Sequence, residues 1–94
     1  MWVYLLASKK NGTLYVGVTR SLSRRVGEHR DGQGSEFASR YGALRLVYAE
    51  LFNNPDEAIA HEKRVKRWRR SWKIALIERA NPGWNDLYPT THFD

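Results

Sequence analysis

The sequence predicts a small α/β domain in which a β-hairpin and a third strand are flanked by helices. Three observations carry that expectation. Residues 2–7 and 14–19 each alternate with period two, on either side of Lys9-Lys10-Asn11-Gly12. Residues 44–52 (LRLVYAELF) form a third strand-like run, apolar on both faces and so well covered. Helix-start signals at Ser21 and at Asn54-Pro55 then open the longer polar stretches. Ninety-four residues suffice for one domain over residues 1–94, and a chain of that size buries roughly 60–70% of its unfolded surface.

In the hairpin, Val3, Leu5 and Ala7 alternate with Trp2, Tyr4 and Leu6, and Leu14, Val16 and Val18 with Tyr15, Gly17 and Thr19. Asn-Gly tolerates the positive φ that a tight hairpin turn needs. Any loop of even length puts Tyr4, Leu6, Tyr15 and Gly17 on one face. A four-residue loop sets Tyr4 opposite Gly17 and Leu6 opposite Tyr15, whereas an odd loop, or a bulge, would split the tyrosines across faces. A strand glycine there lets a ligand or another backbone come close.

Ser21 is the expected cap of a helix over 22–30, ended by Asp31-Gly32. Leu22 and Val26 make its apolar pair at i, i+4. Arg25 and His29 make a second pair about 60° away, with Arg24, Glu28 and Asp31 solvated. The connection 32–42 has Phe37 and Tyr41 as expected anchors and is the segment expected to move most. A helix from Pro55 is expected to reach about Arg70, with Asp56 and Glu57 suited to its positive end. Ser71 then caps a helix over 72–80, which Asn81-Pro82-Gly83 breaks. Trp84, Leu87 and Tyr88 are placed to fold back onto the core.

Composition excludes several classes. Hydrophobic residues are 41% and charged residues 28%, a globular balance. Cysteine is absent, which excludes disulfide staples and thiolate zinc sites and fits a reducing compartment. The apolar run 2–7 is too short for a signal peptide or a membrane span, so a cytoplasmic protein without a membrane role is expected. The net charge of +6 favours phosphate-bearing partners or anionic membrane surfaces. That charge is uneven: Lys63, Arg64, Lys66, Arg67, Arg69, Arg70 and Lys73 fall within eleven residues, with Trp68 and Trp72 among them. Like charges so close repel one another, and nucleic-acid phosphates would relieve the repulsion. The tryptophans read either as core residues or as platforms for unpaired bases.

Glu62 lies four residues after Ala58, three after Ile59 and three before Val65, in the middle of the apolar stripe of its helix. A carboxylate there needs a partner. It is either an ion pair with Lys66 at i, i+4 or a ligand for one hydrated Mg²⁺ or Mn²⁺, ions that need only one or two protein carboxylates.

Tyr4, then Tyr15-Val16-Gly17, then Thr19, Leu22, Arg25 and His29 resemble the GIY-YIG nuclease domain, and Glu62 falls where that family carries its metal-binding glutamate. The likeness extends through LVYAE, EAIAHEKRVKRWRRSWK and NPGWNDL, and is greatest to the small stand-alone branch of the family. Trp2-Val3-Tyr4 replaces Gly-Ile-Tyr, and valine replaces isoleucine in the second motif; both motifs keep their tyrosines.

The resemblance implies a three-stranded antiparallel sheet flanked by helices. It also implies metal-dependent hydrolysis of a nucleic-acid phosphodiester, leaving 5′-phosphate and 3′-hydroxyl ends; DNA is the expected substrate, single-stranded or branched forms among the candidates, with duplex and RNA left open. It assigns Tyr4 as base and Tyr15 as positioning group, with His29 able to relay the proton. Arg25 would hold phosphate oxygens, Gly17 would keep the floor open for the phosphate, and Glu62 would hold one Mg²⁺ or Mn²⁺. Asn81, with Asn85 as its rival, would be the final site residue. A free phenol with pKa about 10 is a poor base at neutral pH, and cationic neighbours are expected to lower it. No obligate protein partner is evident. The alternative is a basic nucleic-acid-binding module that keeps the fold without turnover.

Overall fold

A computed structural model describes residues 1–32 and 40–88 of the chain. Its elements are β1 (Trp2–Ala7), β2 (Leu14–Thr19), α1 (Leu22–Arg30), β3 (Arg45–Leu51), α2 (Pro55–Arg67) and α3 (Arg70–Ala80). The strands form one antiparallel sheet in the order β2-β1-β3, the architecture implied by the resemblance.

The hairpin closes with four loop residues. Ser8 N donates to Thr13 O at 3.0 Å and Gly12 N to Lys9 O at 2.9 Å, with Asn11 at φ 61° supplying the left-handed turn residue. Loop parity therefore sets Tyr4 opposite Gly17 and Leu6 opposite Tyr15, as expected. On the other side of β1 the register slips between Leu5, opposite Tyr48, and Leu6, opposite Leu46. Val47 is the extra residue of that bulge. Val47 and Tyr48 consequently point to the same side, while Leu46 crosses to the other.

Each face of the sheet has its own core. Val3, Leu5 and Ala7 pack with Val16, Val47, Ala58, Val65, Leu76, Ile77 and Trp84, so α2 and α3 cover that face. Tyr4 and Leu6 pack with Leu22, Val26, Ala43 and Leu46, so α1 covers the other. The segment after α3 folds back as expected: Trp84 is fully buried on the first face, and Leu87 and Tyr88 pack against the second. It also blunts the β3 edge, because Leu87 N donates to Leu46 O at 2.8 Å and Leu46 N donates to the Asp86 carboxylate at 3.2 Å.

Four local expectations change. The Pro55 helix stops at Arg67 rather than near Arg70. Trp68, its C-cap, turns extended at φ −64°, ψ 148°. The next helix is capped at Arg69, not Ser71, and starts at Arg70. Tertiary packing outweighs helix propensity here: the break lets Leu76 and Ile77 join the core that already holds Val65. Ser21 stands at the α1 N-cap without a side-chain capping bond. The turn into α1 is held by the Thr19 hydroxyl, bonded to Ser21 N and Ser21 O at 3.2 Å each. Tyr41 is 50% exposed rather than an anchor, and Phe37 lies outside the described residues. Asn54 caps α2 as expected, its side-chain oxygen accepting from Asp56 N at 2.8 Å and Glu57 N at 3.4 Å.

Candidate active site

The hairpin register and α1 bring five of the singled-out residues to one place. Tyr4 crosses from the central strand toward Gly17 on the edge strand, and Tyr15 stands beside it with ring centroids 6.3 Å apart. Helix α1 lays His29 against both: its ring centroid is 6.1 Å from that of Tyr4 and 5.0 Å from that of Tyr15, edge-on in each case. The Tyr4 hydroxyl and His29 Nε2 share a buried hydrogen bond of 3.1 Å. With the imidazole proton on Nδ1, Nε2 accepts that bond.

Burial sets the protonation states. Tyr4 and His29 are each 1% exposed. Desolvation pushes the Tyr4 phenol well above its usual pKa, aided by the neighbouring Tyr15, and the opposing pull of the Arg25 guanidinium does not overcome it. Arg25 does pull this pKa down, as expected of a cationic neighbour, but burial outweighs it. Desolvation, then the charge of Arg25, lowers the His29 pKa below its ordinary 6.5, with Glu28 pulling the other way. His29 is neutral at pH 7, a proton acceptor rather than a cation. Arg25 itself is half-buried and paired with Glu28 at 3.1 Å. Glu28 was expected to be solvated; the readable signal was an acid three residues after an arginine on the same helix.

Gly17 also has a different physical reason from the one expected. A Cβ added there would lie 2.4 Å from both Cζ and the hydroxyl oxygen of Tyr4. The space is taken by the neighbouring phenol, not reserved for a ligand.

Glu62 is 7% exposed and sits between Ala58 and Val65 on the buried stripe of α2, as its spacing predicted. That stripe packs against β1 and β2 on the face opposite the tyrosines. Glu62 therefore lies on a helix that covers β1 and the edge strand β2 from the face opposite Tyr15. One Glu62 oxygen, Oε2, pairs with Lys66 Nζ at 3.0 Å. The other has no partner among the described residues. No group of three or more His, Cys, Asp or Glu capable of holding a metal occurs among them either. The donor set fits an ion that keeps most of its waters and takes one carboxylate, not a closed protein cage.

Asn81 is bound into the fold. Its side-chain NH₂ donates to Val47 O at 3.1 Å and to Asn85 O at 2.9 Å, while Oδ1 accepts from Asn85 N at 3.0 Å. It satisfies the carbonyl of the β3 bulge residue and pins the loop after α3. Asn85 is exposed. The basic residues Lys63, Arg64, Lys66, Arg67, Arg69 and Arg70 are exposed, and Lys73 is half-buried. Some are engaged: Arg70 donates to the hairpin-tip carbonyls of Asn11 and Gly12 at 2.6 and 2.5 Å, and Lys73 to Lys66 O at 3.2 Å.

A hairpin carrying two tyrosines and a cross-strand glycine, backed by a helix bearing arginine and histidine, is the arrangement of a nuclease family. The chain belongs to the GIY-YIG family: the family model described as the GIY-YIG catalytic domain matches residues 1–75. Within that family it is similar to proteins named UPF0213. It is 37% identical over 76 residues to one from Clostridium perfringens, spanning 81% of each chain. It is 32% identical over 76 residues to one from Staphylococcus saprophyticus, spanning 81% of this chain and 92% of the relative. The solution NMR structure of the UPF0213 protein BH0048 from Bacillus halodurans, 30% identical, matches with a TM-score of 0.56 over 99% of this chain and 95% of that one. None of the described helices is long and apolar enough to cross a membrane.

Proposed function

We propose that the protein is an endonuclease that hydrolyses phosphodiester bonds in DNA with one Mg²⁺ or Mn²⁺ ion, leaving 5′-phosphate and 3′-hydroxyl ends. The observation that carries this reading is the buried hydrogen bond between the Tyr4 hydroxyl and His29 Nε2. A buried phenol needs a hydrogen-bond partner, and a neutral imidazole is one that can also take its proton.

The raised Tyr4 pKa argues against a standing phenolate. A relay fits better: the attacking water gives its proton to the Tyr4 oxygen as Tyr4 gives its own to His29 Nε2. Neither step requires a free phenolate, and the neutral His29 is ready to receive. The water oxygen bonds to phosphorus, the bond from phosphorus to the 3′-oxygen breaks, and that oxygen takes a proton from solvent water to become the 3′-hydroxyl, while His29 returns the proton it received to solvent. Tyr15, more exposed than Tyr4, positions the water. Arg25 binds non-bridging phosphate oxygens and stabilises the charge they gain, while Glu28 fixes the orientation of its guanidinium. Glu62 is the residue that would hold the metal ion, which when bound supplies Lewis-acid stabilisation of the leaving oxygen. The scissile phosphate would then lie across the β2 edge, between the Tyr4–His29 pair and Glu62.

The test is a panel of labelled single-stranded, duplex and branched DNA, incubated with Mg²⁺, Mn²⁺ or EDTA. Metal-stimulated cleavage is expected, abolished in Glu62→Ala with most binding retained. A protein that binds every substrate but never cuts, and whose Glu62→Ala variant binds and melts like wild type, is a binding module instead.

A further inference from the structure

Helix α3 carries an aromatic groove that the catalytic reading does not use. Trp72, Ala75, Leu76 and Arg79 line it along one side of the helix, and Trp68 closes the end. Its volume is about 260 Å³, just under the roughly 300–1,000 Å³ of pockets for drug-sized ligands, which suits a single flat ring system. Trp72 is 52% exposed, a large apolar surface left open where the helix surroundings are strongly charged. Behind the groove the aromatics form a rigid ladder. Trp68 meets Trp72 edge-on at 5.9 Å and His61 at 6.2 Å, and His61 lies 5.1 Å from Phe52. The Arg69 guanidinium, which does not line the groove, sits over the Trp72 ring at 5.0 Å. That contact immobilises the indole and leaves its groove side open.

We propose that this groove binds one unpaired base of the nucleic-acid strand, stacked on Trp72, with Arg79 and Lys73 placed for the flanking phosphates. Charge selects the occupant. Between Arg64 and Arg79 there are seven cations and one acid, Glu78, and the Glu78 carboxylate accepts from Trp84 Nε1 at 2.8 Å. An apolar slot inside so positive a surface suits a flat aromatic ring carried on a polyanion, which is a nucleotide strand. The base must be unpaired, because a base within a duplex already has both faces stacked.

The groove also connects with Glu62. Lys73, next to Trp72, donates to Lys66 O at 3.2 Å, and Lys66 Nζ pairs with Glu62 at 3.0 Å. Six residues separate Glu62 from Trp68, the C-cap of α2, about 9 Å of axial rise, a span of a few nucleotides at most. The captured base therefore lies a few nucleotides from the bond to be cut, and the proposal rests on the nuclease reading for that placement only. It makes the protein selective for single strands, flaps or gaps over continuous duplex.

The experiment measures binding in EDTA, where nothing is cut. A 12-mer of thymidine is compared with an abasic phosphodiester 12-mer of equal charge. Wild-type protein is expected to bind the thymidine strand more tightly and to show saturable quenching of indole fluorescence with it alone. Trp72→Ala should lose about 5- to 140-fold of thymidine affinity while abasic binding and the melting temperature stay unchanged; Trp72→Phe should recover part of the loss. Arg79→Ala should weaken both strands alike and flatten the salt dependence by about 0.7 in log–log slope. Equal wild-type affinity for the two strands, or a Trp72→Ala variant that binds thymidine like wild type, overturns the proposal. A protein that never cuts but keeps the Trp72-dependent preference retains the groove and loses the nuclease reading.

Discussion

Gly17→Ala isolates the close packing on which the candidate site is built. The new Cβ would stand 2.4 Å from Cζ and the hydroxyl oxygen of Tyr4, where ordinary contact begins at 3.4 Å, so the phenol must retreat by about 1 Å. It has little room to do so, being 1% exposed and packed on the central strand. Overpacking of this kind costs about 2–3 kcal/mol, offset by about 0.5–1 kcal/mol from replacing a strand glycine. A net loss of about 1–2 kcal/mol lowers Tm by about 5–15 °C in a domain of this size. The same displacement pulls the hydroxyl off His29 Nε2, now at 3.1 Å, and a 1 Å misplacement of a reacting group costs about 100-fold in rate. Thermal melting and single-turnover cleavage at a temperature where the variant is folded read the two effects separately. If Gly17 instead keeps room for a phosphate, Tm stays at the wild-type value and only substrate affinity falls. That outcome refutes the packing argument.

Three further outcomes follow from the geometry. Protonated His29 cannot accept from Tyr4, so cleavage should fall on the acid side with an apparent pKa below 6.5, and His29→Asn should abolish that limb along with most of the rate. Because the folded protein resists protonating His29 while the unfolded chain does not, stability should also fall as the pH drops below about 6.5 and on through the lowered folded-state pKa, and denaturant melts across that range measure it. Asn81→Ala removes three hydrogen bonds and leaves the Val47 carbonyl without its side-chain partner. It should cost about 2–4 kcal/mol in denaturant melts yet leave the cleavage rate of the folded fraction within a few-fold of wild type.

How far the sequence could be read depended on whether a local rule or a distant contact decided each feature. Loop parity is local, so the sequence narrowed the hairpin to an even loop that puts Tyr4 beside Tyr15 or an odd one that splits them, and the four-residue loop decides for the first. The buried stripe of α2 is local too, and it predicted the burial of Glu62. Which face of the sheet α2 covers is not local: nothing in the spacing of Glu62 says that its helix packs opposite the tyrosines. The break at Trp68 has no glycine or proline to announce it, since it arises from what Leu76 and Ile77 must reach. Gly17 read as a place for a ligand because its true neighbour lies across the strand pair. The structural part that Asn81 plays was not legible, because the bulge whose carbonyl it binds, at Val47, comes from a register slip that residue pattern does not reveal.

The relay between Tyr4 and His29 is most directly tested by single-turnover cleavage of the best substrate with Tyr4→Phe, which removes one oxygen from a buried ring and leaves its packing intact. Cleavage is predicted to slow by about 10²- to 10⁴-fold, with DNA affinity held and the protein still folded at the assay temperature, its stability lowered by about 1–3 kcal/mol for the lost bond to His29. A Tyr4→Phe protein that cuts at the wild-type rate would contradict the account.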